Sequence, residues 1–181
     1  MLTSALLPIL RCAPLQRGQG HPLAGLWRGT YGFHGMEILN FALEAPPGLH
    51  PADMSSPNVG EGGISSPMLL RGVKITGDSN VPRGQVSIEM DVSAPHPHPT
   101  TPPGQRFVLP SNLHTGVQEE GPDGLASCVV QAVYRGRGHI AQTGFEHDSW
   151  TTVEVVVFSD ACMGVAWHEL ESFSMFSRLP L

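Results

Sequence analysis

An all-β fold, a small antiparallel barrel of about eight to ten short strands with long Pro- and Gly-rich loops, is predicted by three observations. Apolar and polar residues alternate strictly over Gln85 to Val92, with Val86, Ile88, Met90 and Val92 on one face and Ser87, Glu89 and Asp91 on the other. Thr151 to Phe158 (TTVEVVVF) is dense in β-branched residues, as a central strand is. Helix signals are scarce, because 21 Gly and 17 Pro cut nearly every apolar run within a dozen residues.

In chain order, Met36 to Leu43, Met68 to Thr76, Gln85 to Val92, Ser127 to Tyr134 and Thr151 to Phe158 read as strands. Val165 to Leu179 is the one stretch where a helix has room. Yet Phe173 and Met175 alternate with Ser172 and Ser174 before Phe176 breaks the pattern. Ser and Phe are middling helix formers, so two short strands, WHEL and SFSMFSRL, are expected. Closing such a sheet removes its exposed edges, which favours a barrel. Glu44 to Pro67, Ser93 to Gln105 and Pro110 to Gly124 are expected loops, long enough to be functional or disordered. Residues 1–24 are expected to be a disordered N-terminal segment, and residues 25–181 the folded domain.

Composition excludes several partners. The formal charge is −6, and ten Lys and Arg are scattered without a basic run. Nucleic-acid affinity rests on phosphate neutralisation, so neither nucleic acid nor an anionic membrane surface fits. Cys12, Cys128 and Cys162 are an odd set with no close pair, and so neither a disulfide framework nor a zinc knuckle. Cys128 and Cys162 sit in apolar runs and are expected to pack as small hydrophobes. The first acidic residue is Glu37. Two readings of the acid-free start stay open: a transit peptide, or a chain whose upstream part is missing. The expected location is the cytoplasm or nucleus, with the plastid as the alternative.

Catalytic look-alikes fail on their chemistry. The run from Gly72 has the glycine spacing of a phosphate loop but places Asp78 where a Lys must stand. His168 and Glu169 begin an HExxH pattern that ends on Ser172. His147, Asp148 and Ser149 are adjacent, whereas a triad converges from separate elements. No nucleophile–base pair is legible, and no catalytic role, cofactor or metal is expected. His96 and His98 alternate with prolines, which reads as a solvated polyproline-like linker rather than a metal site.

Two segments hold candidate binding residues. TGDSNVPRG, from Thr76, is a turn rich in turn formers between two strands. It is either a plain connection whose Asp caps the turn, or a rigid loop presenting Asp78 and Asn80 to a ligand. GLWRGTYGFHGMEIL, from Gly25, spaces Gly29, Gly32 and Gly35 among Trp27, Tyr31, Phe33 and His34. It is either a glycine-kinked barrel corner or an aromatic wall open to a peptide.

These segments, followed by RFVLP, YRGRGHIAQTGF and VAWHELESFSMFSRL, resemble in order the cyclin-D-binding domain of the F-box only protein 31 family. The likeness covers Gly25 to Leu179, with differing intervening loops. The plastid EXECUTER proteins carry a related domain. The resemblance implies a β-barrel that captures an extended or C-terminal segment of a protein such as a D-type cyclin. In that family it is the substrate receptor of a Skp–cullin–F-box ubiquitin ligase, whose chemistry resides in other subunits. It implies Lys74, Thr76, Asp78, Asn80 and Val81 as ligand contacts, Asp78 first, with Tyr31, His34 and Trp167 as pocket wall; Trp167 is equally a core residue. Asp78 is expected to accept hydrogen bonds from ligand N–H groups and to disfavour a carboxylate end. The 24 residues ahead of the likeness are broken by Pro and Gly and show no helical F-box. Contact with a Skp adaptor is therefore expected only where a longer chain supplies one. The EXECUTER likeness leaves a plastid singlet-oxygen signalling domain, without any ligase link, as the alternative.

Overall fold

The computed structural model describes residues 21–30, 35–44, 68–109, 119–120 and 126–180. Eight antiparallel strands close a barrel: β1 (Gly25–Thr30), β2 (Met36–Leu43), β3 (Leu69–Lys74), β4 (Val86–Asp91), β8 (Ala132–Gln142), β9 (Glu146–Ser159), β10 (Cys162–Trp167) and β11 (Ser172–Arg178). Around the barrel the order is β1, β11, β10, β9, β8, β4, β3, β2. The intervening β5 (Arg106–Val108), β6 (Glu119–Glu120) and β7 (Ala126–Val129) form a separate three-stranded sheet. The expected all-β barrel is thus the fold.

An eight-stranded barrel is just wide enough for its own side chains to fill. Trp27, Leu39, Phe41, Leu70, Ile88 and Phe176 do so, each with no exposed surface. The Trp27 indole N–H donates to the Leu23 carbonyl at 2.9 Å, and Leu23 is itself buried in this core. His21 to Ala24, counted above with the N-terminal segment, therefore belong to the barrel. Alternation along β9 sorts Val153, Val155 and Val157 into the interior and Val156 and Phe158 into a second cluster outside. There the small sheet docks: Phe107 of β5 stacks on Phe173 of β11, ring centroids 4.6 Å apart. Cys128 and Cys162 are reduced and buried in that second cluster, as their apolar surroundings predict.

Three details differ from expectation. WHEL is not a strand: β10 ends at Trp167, and His168–Leu170 make one 3-10 turn closed by Glu171 in the left-handed region (φ 46°). The chain must reverse there to lay β11 antiparallel to β10, and strand alternation has no say over a reversal. Ser127 to Tyr134 is not one strand, because the chain leaves the small sheet after Val129 and joins the barrel at Ala132. Ser93 to Gln105 is the expected loop and is mostly exposed, but it does not run free of the barrel. Its backbone is pinned to the barrel by His96 N–H to Val133 O (2.7 Å), Thr100 N–H to the Glu154 carboxylate (3.0 Å) and Gly104 N–H to Val130 O (2.8 Å). Most of the other two expected loops, and Cys12, lie outside the described residues.

Candidate functional site

Antiparallel order brings the ends of β1, β3, β8 and β10 and the starts of β2, β4, β9 and β11 to one rim of the barrel. At this rim the inward-facing residues cease to be apolar. β2 reads Glu37, Leu39, Phe41 on its buried face, and β3 reads Leu70, Gly72, Lys74. The last inward position of each strand is therefore charged, and the two meet. Lys74 Nζ lies 2.9 Å from Glu37 Oε1 and 2.7 Å from Asp78 Oδ2. Lys74 and Glu37 are each only 2% exposed, so water contributes almost nothing to their solvation.

The β3–β4 connection is built by Asp78. Its Oδ1 accepts from the backbone N–H of Asn80 (2.6 Å) and of Val81 (2.7 Å), an Asx-type turn. Gly77 lets the turn close on itself, since a Cβ there would sit 2.2 Å from the Arg83 nitrogen. The turn is braced against the β8–β9 hairpin: the Asn80 amide donates to Ala141 O (2.9 Å) and Gly144 N–H to Ser79 O (2.7 Å).

The electrostatics push the two carboxylates apart. Burial raises Glu37 to about 7, reinforced by Asp78 beside it and only partly offset by Lys74. Burial opposes ionisation of Asp78 as well. Hydrogen bonds from Glu37, Lys74 and the Val81 and Asn80 amides outweigh it and hold Asp78 far below the usual carboxylate range. The cluster therefore keeps Asp78 ionised and parks any shared proton on Glu37.

A cavity of about 1040 Å³ opens beside this cluster. Lys74, Asp78, Asn80, Val81 and Trp167 all line it, so the structure brings five of the eight candidate residues to one wall. Thr76 does not join them; its Oγ1 accepts from Ile38 N–H (2.8 Å) and ties the turn to β2. Tyr31 and His34 lie outside the described residues. The two readings left open for Trp167 are both met: it is 3% exposed within the core, its Nε1 donates to Ser174 Oγ (3.2 Å), and it faces the cavity.

Asp78 is a different group from the open acceptor expected of it. One oxygen is filled by its own turn, and the other is shared between Lys74 and the Glu37 side chain, which leaves little acceptor capacity for a ligand while Glu37 is protonated. Asn80 is committed to Ala141 in the same way. What faces the cavity is a braced ion pair.

Other members of the site went unread. Glu37 stands on the apolar face of MEILNFAL, in phase with Leu39 and Phe41, and a charge in that phase was the available signal. Glu154, 5% exposed, lines the cavity further out; it holds Thr100 N–H and lies 3.6–3.7 Å from His168 and His96. His139 pairs with Asp148 (3.0 Å) and with Val86 O (3.0 Å), which occupies both ring nitrogens. The acid beside His147 in sequence thus serves a histidine across the hairpin, and the adjacent trio forms no triad. Among the described residues, no group of three His, Cys, Asp or Glu is arranged to hold a metal ion, and no helix is long and apolar enough to cross a membrane.

Comparison with known proteins gives the family of the whole barrel. A family model described as "Cyclin D1 binding domain" matches residues 10–181. F-box only protein 31 from Rattus norvegicus is 26% identical over 220 residues, covering 86% of this chain and 38% of that protein. The Homo sapiens protein of the same name is 23% identical, with 86% and 39% covered. Protein EXECUTER 1, chloroplastic, from Arabidopsis thaliana is 26% identical over 136 residues, covering 75% of this chain and 16% of that protein. The chain therefore spans under two-fifths of the length of the F-box relatives it matches.

Proposed function

Because the chain belongs to the cyclin D1 binding domain family, we propose that its barrel is a substrate-recognition module that takes an extended or C-terminal segment of a target such as a D-type cyclin into the rim groove. The observation that carries this reading is the convergence of the family-type turn residues Lys74, Asp78 and Val81 with Trp167 on the wall of one open cavity. The groove offers the materials of peptide capture. Trp167, Phe173 and Val156 supply apolar wall, while Lys74 and Asp78 supply a fixed donor–acceptor pair at the closed end. The ion pair is already built, so a ligand need not order it, and preorganisation lowers the cost of binding.

The carboxylates of Asp78 and Glu154, with Glu37 behind, favour a ligand end that donates hydrogen bonds over one that brings a carboxylate, while Lys74, His139, His147 and His168 share the lining. The role is binding rather than catalysis, and the receptor reading places the domain in a Skp–cullin–F-box ubiquitin ligase. Contact with a Skp adaptor then follows only where a longer chain supplies an F-box. The location proposed is the cytoplasm or nucleus; the similarity to EXECUTER 1 supports the plastid as second reading, and microscopy of the tagged chain separates the two.

The test is fluorescence anisotropy with a labelled peptide of the last dozen residues of cyclin D1. Asp78→Asn keeps the size of the side chain but removes its charge. It is expected to weaken binding more than tenfold, the scale of one charge-assisted hydrogen bond of roughly 1.5–3 kcal/mol. Wild-type affinity in that variant refutes the assignment.

A further inference from the structure

Glu37 is the one member of the rim cluster with no evident task in holding the turn together. It sits behind Lys74 and Asp78, in the same buried file as Leu39 and Phe41. Two carboxylates converge on one ammonium, with Nζ 2.7 Å from Asp78 Oδ2 and 2.8–2.9 Å from the two Glu37 oxygens. Beyond the Lys74 ammonium at 2.8 Å, the buried Glu37 Oε2 has no hydrogen-bond donor. An ionised carboxylate only accepts, and here it faces another acceptor. A proton on Glu37 turns it into a donor to Asp78 and removes the conflict.

We propose that Glu37 is a positioning residue that sets the charge of the groove's closed end: protonated, it leaves Lys74 and Asp78 as a neutral pair; ionised, it makes the end net negative and selects against ligands terminating in a carboxylate. This deepens the peptide-receptor reading and rests on it.

The surroundings isolate the effect. From β3 Glu37 meets Lys74, and from the β3–β4 turn Asp78. Its β1 partner is Gly29, which brings no charge, and the neighbouring Arg28 is exposed. From β11, Phe176 covers Gly29. On the β8 side His139 is committed to Asp148 and Val86 O. Glu154 is occupied by Thr100, with His96 and His168 beside it. Burial puts the Glu37 transition at about 7, so the charge of the closed end changes within the ordinary range of cell pH.

Two measurements test this. Carbon-13 NMR titration of the free chain, labelled at Glu side-chain carboxyls, is expected to show one buried Glu titrating near neutrality and to lose that signal in Glu37→Gln. A Glu37 midpoint in the ordinary carboxylate range overturns the proposal without any ligand. The second is anisotropy with the cyclin D1 C-terminal peptide made in two forms, with a free carboxylate end and with a carboxamide end. The carboxylate form is expected to bind about tenfold more tightly at pH 6 than at pH 8, and the carboxamide form to change less than twofold. Glu37→Gln is expected to abolish the difference. His139, His147 and His168 face the same groove and are common to both proteins. A pH dependence that survives Glu37→Gln, or that both peptides share, belongs to those histidines and overturns the proposal. No binding by either peptide overturns the receptor reading itself, and the NMR arm distinguishes that failure from a misplaced proton.

Discussion

Trp167 packs against Gly138 so closely that a Cβ on the glycine would lie 2.0 Å from the indole ring. Gly138 is on β8 and Trp167 at the end of β10, with β9 between them in the sheet. The ring therefore reaches over β9 to β8, and the missing side chain is what allows it to be both core and groove wall. Gly138→Ala is expected to push the indole off its seat and to destabilise the fold by about 1–3 kcal/mol, the usual cost of overpacking. Urea unfolding followed by tryptophan fluorescence checks the loss. An alanine variant as stable as wild type contradicts the packing described.

Lys74 is the cation shared by the buried Glu37 and the half-buried Asp78. Lys74→Met retains the apolar stem and leaves both acids without a cation, and removing one partner of a buried pair costs about 3–5 kcal/mol. The double variant Lys74→Met with Glu37→Gln is expected to recover part of that loss. Chemical denaturation of the two variants in parallel measures the coupling, and simple additivity would deny it.

Stability should depend on pH in opposite senses for the two acids. Glu37 is raised to about 7, so its folded form holds a proton that the unfolded chain gives up at ordinary carboxylate pH. Its contribution is full below that range and is lost as pH rises through about 7. Asp78 is depressed, as is Glu89, where burial is outweighed by Arg137 and Arg71. Their contributions are present above the usual carboxylate range and vanish as pH falls below it. Between pH 5 and pH 8, Glu37→Gln should therefore gain on wild type by about 2 kcal/mol. Thermal unfolding at the two pH values reads the difference, and a constant gap contradicts it.

The Ser93–Gln105 segment is held down by Glu154, which accepts the Thr100 amide through both oxygens at 3.0 and 3.3 Å. Glu154→Ala removes that acceptor. Hydrogen exchange at the Thr100 amide should accelerate tenfold or more, on the scale of a hydrogen bond to a charged group, while Ile88 in the core keeps its protection. Unchanged exchange at Thr100 would mean that other contacts hold the segment.

Some of this was legible in the chain and some was not, for physical reasons. Strands β2, β4 and β9 follow from alternation and β-branching, because side chains of a pleat alternate between faces, even though the second face of β4, with Ser87 and Glu89, is buried too. The TGDSNVPRG turn was equally plain, since Gly77 and Asp78 are what its tight geometry needs. The same letters could not say where the Asp78 carboxylate points. The plain connection and the ligand-facing loop use one residue, and here both hold, with most of the carboxylate spent on the turn. The reversal after Trp167 was missed because its left-handed residue is Glu171 and not a glycine that would have marked it.

Sequence alone determined the fold class, the positions of β2, β3, β4, β9 and β11, and the family resemblance, because each is written in local periodicity or in contiguous motifs. Tertiary structure decided the site. Glu37, Lys74 and Trp167 lie on separate strands, and the pairing of the first two and the cavity shared by Lys74 and Trp167 depend on register and on closure of the sheet. Burial, which moves the proton onto Glu37, is a property of the closed barrel and of no segment within it.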